Sequence, residues 1–190
     1  MKRFEYVPQL PNLPEEVCAE VLHTVANVAP TMSMGNMLST YTCPPLTFDF
    51  ISNTCFPKRK FNRFLYSHPN GLNIQVQAIR SDLNIHADLM PKPVPALGLP
   101  AGGRMNVLYY IIQDGVTTLN RFHTYDEAEI VDELYVRPRE WYRIASWEKH
   151  SVVNVTEPRI SVSIAKTYSV ERIAKFANRF GWEHVLKALE

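Results

Sequence analysis

The segment from residue 104 to residue 168 constrains the fold most, because short runs of strand-forming residues follow one another there with turn residues between them. The runs are RMNVLYYII (104–112), TTLNRF (117–122), DELYVRP (132–138), WYRIASW (141–147), HSVVNV (150–155) and RISVSIAKTY (159–168). Each is rich in β-branched or aromatic residues, and pairs such as Asp114-Gly115 and Glu157-Pro158 are typical of turns. So many short strands in succession predict an all-β sandwich or barrel.

An earlier strand pattern precedes this segment. The run LNIQVQAI, residues 72–79, alternates apolar and polar residues, which predicts a strand with one buried face. Pro69, Asn70 and Gly71 resemble the turn of a hairpin that would join it to the run FNRFLYS, residues 61–67. Residues 89–103, LMPKPVPALGLPAGG, contain four prolines and three glycines and predict a long loop.

Helical patterns lie outside this strand-rich core, which we place at about residues 61–168. Residues 14–28 carry valines at helical spacing, with two glutamates in the first turn, and predict an amphipathic helix. Residues 169–189 predict a C-terminal helix, and the run from residue 30 to residue 57 gives no clear pattern. A chain of 190 residues is long enough for one domain, so we expect residues 1–190 to form a single domain.

Charge and cysteine content narrow the class of protein. The 20 basic and 19 acidic residues give a net charge of +1, which supplies no general attraction to nucleic acid. No apolar run approaches the roughly 20 residues that span a bilayer, and we expect no secretory signal. The three cysteines, Cys18, Cys43 and Cys55, form no CxxC pair and are expected to be reduced thiols in a cytoplasmic protein.

The tripeptide HAD introduces a candidate metal site. His86 and Asp88 are two residues apart at the end of the early strand region, where a period of two places both side chains on one face. His150 begins a later strand and could converge on the same point. Two imidazoles and one carboxylate form the facial triad of non-haem Fe(II) oxygenases, which leaves three coordination positions for a chelating cosubstrate and dioxygen. Each of these residues alone is more often an ordinary surface or strand-end residue.

A candidate anion site follows nine residues after this histidine. Arg159 opens the last predicted strand, and Ser161 lies on its face while Ile160 and Val162 lie on the other. A guanidinium inside a barrel needs a partner, because an unpaired buried charge is costly. A dicarboxylate would provide one, since the guanidinium binds a carboxylate bidentately and the serine hydroxyl adds a donor.

Three further residues of this region are candidates for contact with a cosubstrate. Asn154 shares a face with His150 and would contact the cosubstrate or be a satisfied core amide. Tyr109 and Tyr110 point to opposite faces of their strand, and alternation does not determine which of them faces the site. We take Tyr110 as the candidate.

The order HAD, then His150, then RIS resembles the Fe(II)/2-oxoglutarate-dependent dioxygenase superfamily. The segment HSVVNVTEPRISVSI is especially similar to small prolyl-hydroxylase-like and phage-encoded members, and the segment NVLYYI resembles their central strand. The resemblance covers roughly residues 72–168 and implies a mainly β fold, the double-stranded β-helix (a cupin-like jelly roll), with supporting N- and C-terminal helices. The chain departs from many relatives where it has QDGVTT in place of a Gly-Gly turn, and its Pro-rich segment is longer than in compact members.

The resemblance also implies a chemistry. His86, Asp88 and His150 would bind Fe(II), and Arg159 with Ser161 would hold the far carboxylate of 2-oxoglutarate. The activity would be hydroxylation of a second substrate with dioxygen. A peptidyl residue, a nucleobase and a free small molecule are all open, and the prolyl-hydroxylase-like wording slightly favours a protein or amino-acid side chain. The alternatives are a cupin-like module that binds metal without oxidation and a protein-interaction module.

Overall fold

The computed structural model of the protein describes residues 2–62, 72–93 and 101–189, and these residues are mainly β. The strands in chain order are β1 (Phe4–Tyr6), β2 (Met32–Met34), β3 (Leu38–Thr42), β4 (Phe61–Asn62), β5 (Leu72–Ile79), β6 (Leu83–His86), β7 (Leu89–Met90), β8 (Gly102–Asp114), β9 (Leu119–His123), β10 (Ile130–Tyr135), β11 (Trp141–Ile144), β12 (His150–Val153) and β13 (Arg159–Tyr168). The helices are α1 (Glu15–Asn27), α2 (Pro45–Phe50), α3 (Val170–Phe180) and α4 (Glu183–Ala188), and a π-helical turn spans Ile51–Cys55.

Two sheets face each other across the interior. In the larger sheet the order is β1-β11-β8-β13-β5-β3-β2, with β4 beside β5 and β7 beside β8, and the smaller sheet has the order β10-β9-β12-β6. Side chains of Val107 and Ile111 on the larger sheet pack against Phe122 and Leu134 on the smaller one. The sheets do not close into a barrel, and the arrangement is the double-stranded β-helix that the sequence predicted.

The outer face of the larger sheet is covered by α1, which confirms the predicted N-terminal helix. Val17 and Val21 of α1 are buried against the sheet, where they share one apolar cluster with alternate residues of β5 and β13. These sheet residues are Ile74, Val76, Ala78, Ile160, Val162 and Ile164. The period of two in both strands therefore places their apolar side chains under the helix.

The inner face of the same strands is polar. Asn73, Gln75 and Gln77 of β5 are as buried as the apolar residues between them, so the predicted strand with one buried face is wrong: both faces are buried. Ser161 and Ser163 of β13 are their cross-strand neighbours towards the interior. Because buried polar groups need partners, an inner face of this kind is typical of a cavity that receives a polar ligand.

The C-terminal region forms two helices rather than the single helix expected over residues 169–189. The first, α3, ends at Gly181, whose φ of 69° lies in the left-handed region that glycine adopts without strain. The chain then turns into α4. Trp182 stacks on Trp147, with ring centroids 4.4 Å apart, and buried Ile173 and Ala177 pack with them. Both helices thereby cover the start of β8.

Three other segments differ from the sequence predictions. The unassigned run before residue 57 forms β2, β3 and α2, so the larger sheet extends to residues before 61. The predicted turn at residues 69–71 lies outside the described residues, and β4 pairs with β5 in parallel rather than as a hairpin arm. The predicted loop over 89–103 begins and ends in strands, because β7 pairs with the first residues of β8; residues 94–100 lie outside the described part.

Two of the compositional expectations can be compared with the described residues. None of the described helices has both the length and the apolar character that are needed to cross a membrane. Cys18, Cys43 and Cys55 are free thiols, and burial raises the pKa of the Cys55 thiol to about 11. All three cysteines are therefore part of the packing, and Cys55, whose thiol stays protonated at neutral pH, is a poor nucleophile.

Candidate metal centre

The centre is built on two neighbouring strands of the smaller sheet. His86 is the last residue of β6 and His150 is the first of β12, and the antiparallel pairing places them directly opposite each other. Their ring centroids are 4.4 Å apart. His86 is thus not on an extension of β5: the chain leaves the larger sheet after Ile79 and enters the smaller one. This crossing brings two histidines that are 64 residues apart in sequence into contact.

Backbone carbonyls orient both imidazole rings. Nδ1 of His86 donates to the carbonyl oxygen of Asn84 at 2.7 Å, and Nδ1 of His150 donates to that of Glu148 at 2.9 Å. Because a carbonyl only accepts, each Nδ1 carries the proton of the neutral ring. Each Nε2 is then unprotonated and has a free lone pair. This is the tautomer in which a histidine binds a metal through Nε2.

Asp88 completes the set from the bend that follows β6. Its Oδ1 lies 4.0 Å from Nε2 of His86 and accepts a hydrogen bond of 2.9 Å from Nη2 of Arg104. The backbone is fixed as well, because the amide of Asp88 donates to the carbonyl of Ser146 and its carbonyl accepts from the amide of Arg104. The second carboxylate oxygen, Oδ2, is buried without a hydrogen-bond partner among the described residues. A buried anionic oxygen in this state is suited to a cation.

The electrostatics keep the two buried groups, Asp88 and His150, in their metal-binding protonation states. Burial raises the pKa of the Asp88 carboxyl, but Arg104 and the two histidines outweigh burial and hold this pKa below its ordinary value. Burial, together with the neighbouring His86, lowers the pKa of His150 to about 4. At neutral pH the buried groups are therefore a carboxylate and an uncharged imidazole. One potential ligand atom from each of the three side chains lies within 4.8 Å of the others.

The same cavity contains the predicted anion site. Arg159 is only 2 % exposed, its Nη1 donates to Oδ1 of Asn120 at 2.8 Å, and its guanidinium lies 5.7 Å from the centroid of the Tyr109 ring. Burial lowers the pKa of this guanidinium, and its Nε is buried without a hydrogen-bond partner among the described residues. The cavity has a volume of about 410 Å³ and is lined by His86, Asp88, His150 and Arg159 together. The cavity walls thus carry a potential cation site and, in Arg159, a buried cation with an unused hydrogen-bond donor.

Three of the remaining predicted site residues do not line this cavity. Ser161 is buried on the face of Arg159, one pleat further along β13. Tyr110 faces the opposite way, against Trp141 in the cluster beneath α1, and it is Tyr109 that faces the cavity. Asn154 lies beyond the end of β12 in an exposed turn with a φ of 62°, so the strand parity that placed it beside His150 does not reach it. The assignments of Tyr110 and Asn154 to the cosubstrate are therefore corrected.

The sequence analysis missed two polar residues that contact the predicted site residues, Arg104 and Asn120. Arg104 follows the two glycines that begin β8, and the pairing of β7 with β8 brings it beside Asp88. Asn120 shares a strand face with the buried Phe122 in β9, which was a usable signal of an inward amide. Its partner, Arg159, is 39 residues away in sequence, so the contact itself was not visible locally.

Comparisons with known proteins bear on this geometry. No protein-family model matches the sequence, and no curated protein matches it. Solved structures do match in fold. The α-ketoglutarate-dependent non-haem epimerase SnoN of nogalamycin biosynthesis has a TM-score of 0.53 at 14% identity, covering 87% of this chain and 78% of its own.

Two further structures extend the comparison. A prolyl hydroxylase from Trichoplax adhaerens, in complex with a peptide fragment of hypoxia-inducible factor, has a TM-score of 0.51 at 11% identity and covers 87% of this chain and 83% of its own. HygX from Streptomyces hygroscopicus, with nickel, 2-oxoglutarate and hygromycin B bound, has a TM-score of 0.52 at 8% identity with the same coverages. At these identities the likeness concerns the fold. This chain therefore has the fold of the 2-oxoglutarate/Fe(II) oxygenases, as its sequence predicted.

Proposed function

We propose that this protein is an Fe(II)- and 2-oxoglutarate-dependent oxygenase. The observation that carries the proposal is the joint placement, in one cavity, of an oriented His-Asp-His set and a buried arginine. The fit to iron is supported by the unprotonated Nε2 atoms and by the unpartnered Oδ2 of Asp88. Two imidazoles and one carboxylate with open positions are the donor set of this class. The fold neighbours that bind 2-oxoglutarate with nickel, or depend on it, support the same assignment.

Each residue has a role that follows from its contacts. His86, His150 and Asp88 would hold Fe(II), and Arg104 would fix the carboxylate so that Oδ2 stays directed at the ion. Arg159, supported by Asn120 and by the Tyr109 ring, would bind the distal carboxylate of 2-oxoglutarate through its free donors. The iron, when bound, supplies the oxidative chemistry with dioxygen, and the chain supplies position, charge and a partly enclosed cavity.

The reaction proposed is hydroxylation, with a protein or amino-acid side chain as the favoured substrate. The prolyl hydroxylase among the fold neighbours is in complex with a peptide, which supports a peptide substrate. HygX, with hygromycin B bound, and SnoN, from nogalamycin biosynthesis, support a small molecule instead. The competing function is metal binding without oxidation, and no contact among the described residues favours it over catalysis.

The test is anaerobic titration of the metal-free protein with Fe(II) and then 2-oxoglutarate. A visible charge-transfer band should appear, be absent in His86→Ala and be weakened in Arg159→Ala. The exposed His23 of α1 provides the matched control, since His23→Ala removes an imidazole that does not line the cavity and should leave the band intact. If the folded protein gives no band with Fe(II) in excess, the proposal is refuted. A band without succinate formation under oxygen, across a panel of candidate peptides, would instead favour the competing function.

A further inference from the structure

The mouth of the cavity is rich in methionine. Met32, Met34 and Met37 lie on the β2–β3 hairpin at the edge of the larger sheet, and Met90 lies on β7. All four line the cavity, and they are four of the six methionines in the sequence. The hairpin turns at Gly35, whose φ is 56°, and the amide of Met37 donates to the carbonyl of Met34. The turn therefore presents three thioether side chains on one short element.

The charged residues that line the cavity are few. Among the described lining residues, the Asp, Glu, Lys, Arg and His side chains are His86, Asp88, Arg104, His150 and Arg159. All five belong to the metal set or to the proposed cosubstrate site. On the strands next to the hairpin, the other lining residues are uncharged: Leu38 and Ile79 are aliphatic, and Thr40 and Gln77 are polar. A charged group that binds beside the methionines would therefore lose part of its hydration and gain no opposite charge from them, which is costly.

Methionine suits this position for a physical reason. Its unbranched, polarisable side chain adapts to ligands of different shape, and methionine is used at binding surfaces for that property. Met34 is 41% exposed although it lines the cavity, so the wall is partly open to water. An apolar ligand that covers this wall removes apolar surface from water, which stabilises the complex.

We propose that the methionine wall, defined as Met32, Met34, Met37 and Met90, binds the main substrate and that it selects an uncharged, aliphatic group. The inference rests on the proposed function for its chemistry, since a group held by this wall would be oxidised at the metal set. An aliphatic amino-acid side chain and a free aliphatic small molecule share the required chemistry. A cationic or anionic side chain and a phosphate are excluded from the wall.

The experiment uses the full chain labelled with [methyl-¹³C]methionine, which gives one NMR signal per methionine. The probes are N-acetyl-leucine methylamide, 1-hexanol, N-acetyl-lysine methylamide and N-acetyl-glutamate methylamide, each added to metal-free protein and to protein with Zn(II) and 2-oxoglutarate. The two neutral probes should shift the wall signals with a Kd at least about tenfold lower than the charged ones. The buried Met105, packed beneath α3 and α4, is the internal reference and should not move.

A matched pair of variants separates binding from general effects of charge. Met34→Lys places a cation on the wall, and Leu22→Lys makes the same change on α1, at a residue of nearly equal exposure that does not line the cavity. Met34→Lys should weaken N-acetyl-leucine methylamide and strengthen N-acetyl-glutamate methylamide, each by about tenfold or more, whereas Leu22→Lys should change neither. Met37→Lys is the second wall variant and should act in the same direction.

The outcomes are decisive in both directions. Selective shifts of the wall signals by neutral probes support the proposal, and a response to the leucine derivative but not to hexanol identifies a side chain as the source. Equal binding of charged probes, or no shift of any wall signal by the neutral probes, overturns it. The metal-free arm does not depend on iron, so a failed charge-transfer test with intact methionine shifts would refute the oxygenase assignment and leave the apolar site standing.

Discussion

Replacement of Arg159 by methionine separates stability from ligand binding. The guanidinium is 2 % exposed, and its Nη1 donor is held by Asn120. In the absence of ligand this is a buried cation whose Nε lacks a partner, and methionine fills a similar volume without charge. Against that gain, Oδ1 of Asn120 loses its donor, which costs about 1–3 kcal/mol. The two effects oppose each other, so the ligand-free variant should melt within a few degrees of the parent protein.

The effect on 2-oxoglutarate is expected to be much larger. Loss of charge-assisted hydrogen bonds to the distal carboxylate should cost about 3 kcal/mol, or roughly a hundredfold in Kd. At a concentration about 1,000 times the parent Kd, the ligand stabilises the parent by about 4.1 kcal/mol and the variant by about 1.4 kcal/mol. For a chain of this size the difference corresponds to roughly 5–11 °C in the ligand-induced shift of Tm.

The assay is thermal unfolding of the Zn(II)-loaded protein with and without 2-oxoglutarate. Lys166→Met is the matched control, because it removes the same charge from the same strand at a residue that does not line the cavity. The control should keep the full ligand-induced shift. If Arg159→Met also keeps it, the guanidinium does not hold the cosubstrate, and the assignment of this part of the cavity is wrong.

Three further predictions concern the groups around the metal set. Arg104→Met removes the donor to Asp88 and should weaken metal binding by about 10–100-fold, measured by competition with a chelating dye, while unchanged affinity would show that the ion pair does not orient the carboxylate. The pKa of His150 is about 4 in the folded chain and 6.5 ordinarily, so the unfolded chain binds more protons between these two pH values. The free energy of unfolding should therefore be highest above pH 6.5 and fall by up to about 3 kcal/mol as the pH drops towards 4. Denaturant unfolding of the metal-free protein at pH 7 and 4.5 should show a smaller loss in His150→Gln, and an equal loss would contradict the burial argument. Gly103→Ala would place a Cβ atom 2.3 Å from the carbonyl oxygen of Asp88, so it should destabilise the fold by about 2 kcal/mol or more in the same assay; a neutral effect would mean that the backbone at Asp88 shifts freely.

Local periodicity accounts for the strand faces that were predicted correctly. The alternation along β13 placed Arg159 and Ser161 on one face and Ile160 on the other, and the structure has them so. His86 and His150 meet because β6 and β12 pair antiparallel, which places the last residue of β6 opposite the first residue of β12. These features depend on a period of two and on chain order, and both are visible in a sequence.

The errors arose where the period of two is ambiguous or stops. Tyr109 and Tyr110 lie on a strand that is buried on both faces, so hydrophobicity does not show which face borders the cavity. Asn154 adopts a left-handed φ that ends the strand, and asparagine tolerates this conformation without any change in the apolar pattern before it. The methionine hairpin was missed because its pairing with β5 depends on residues about 40 positions away.

The polar inner face of the larger sheet has a consequence for how this protein can change. Apolar packing beneath α1 involves one set of residues on β5 and β13, and the cavity involves the intervening set, such as Gln77 and Arg159. The residues that border the cavity can therefore change without any change in the residues that pack under α1.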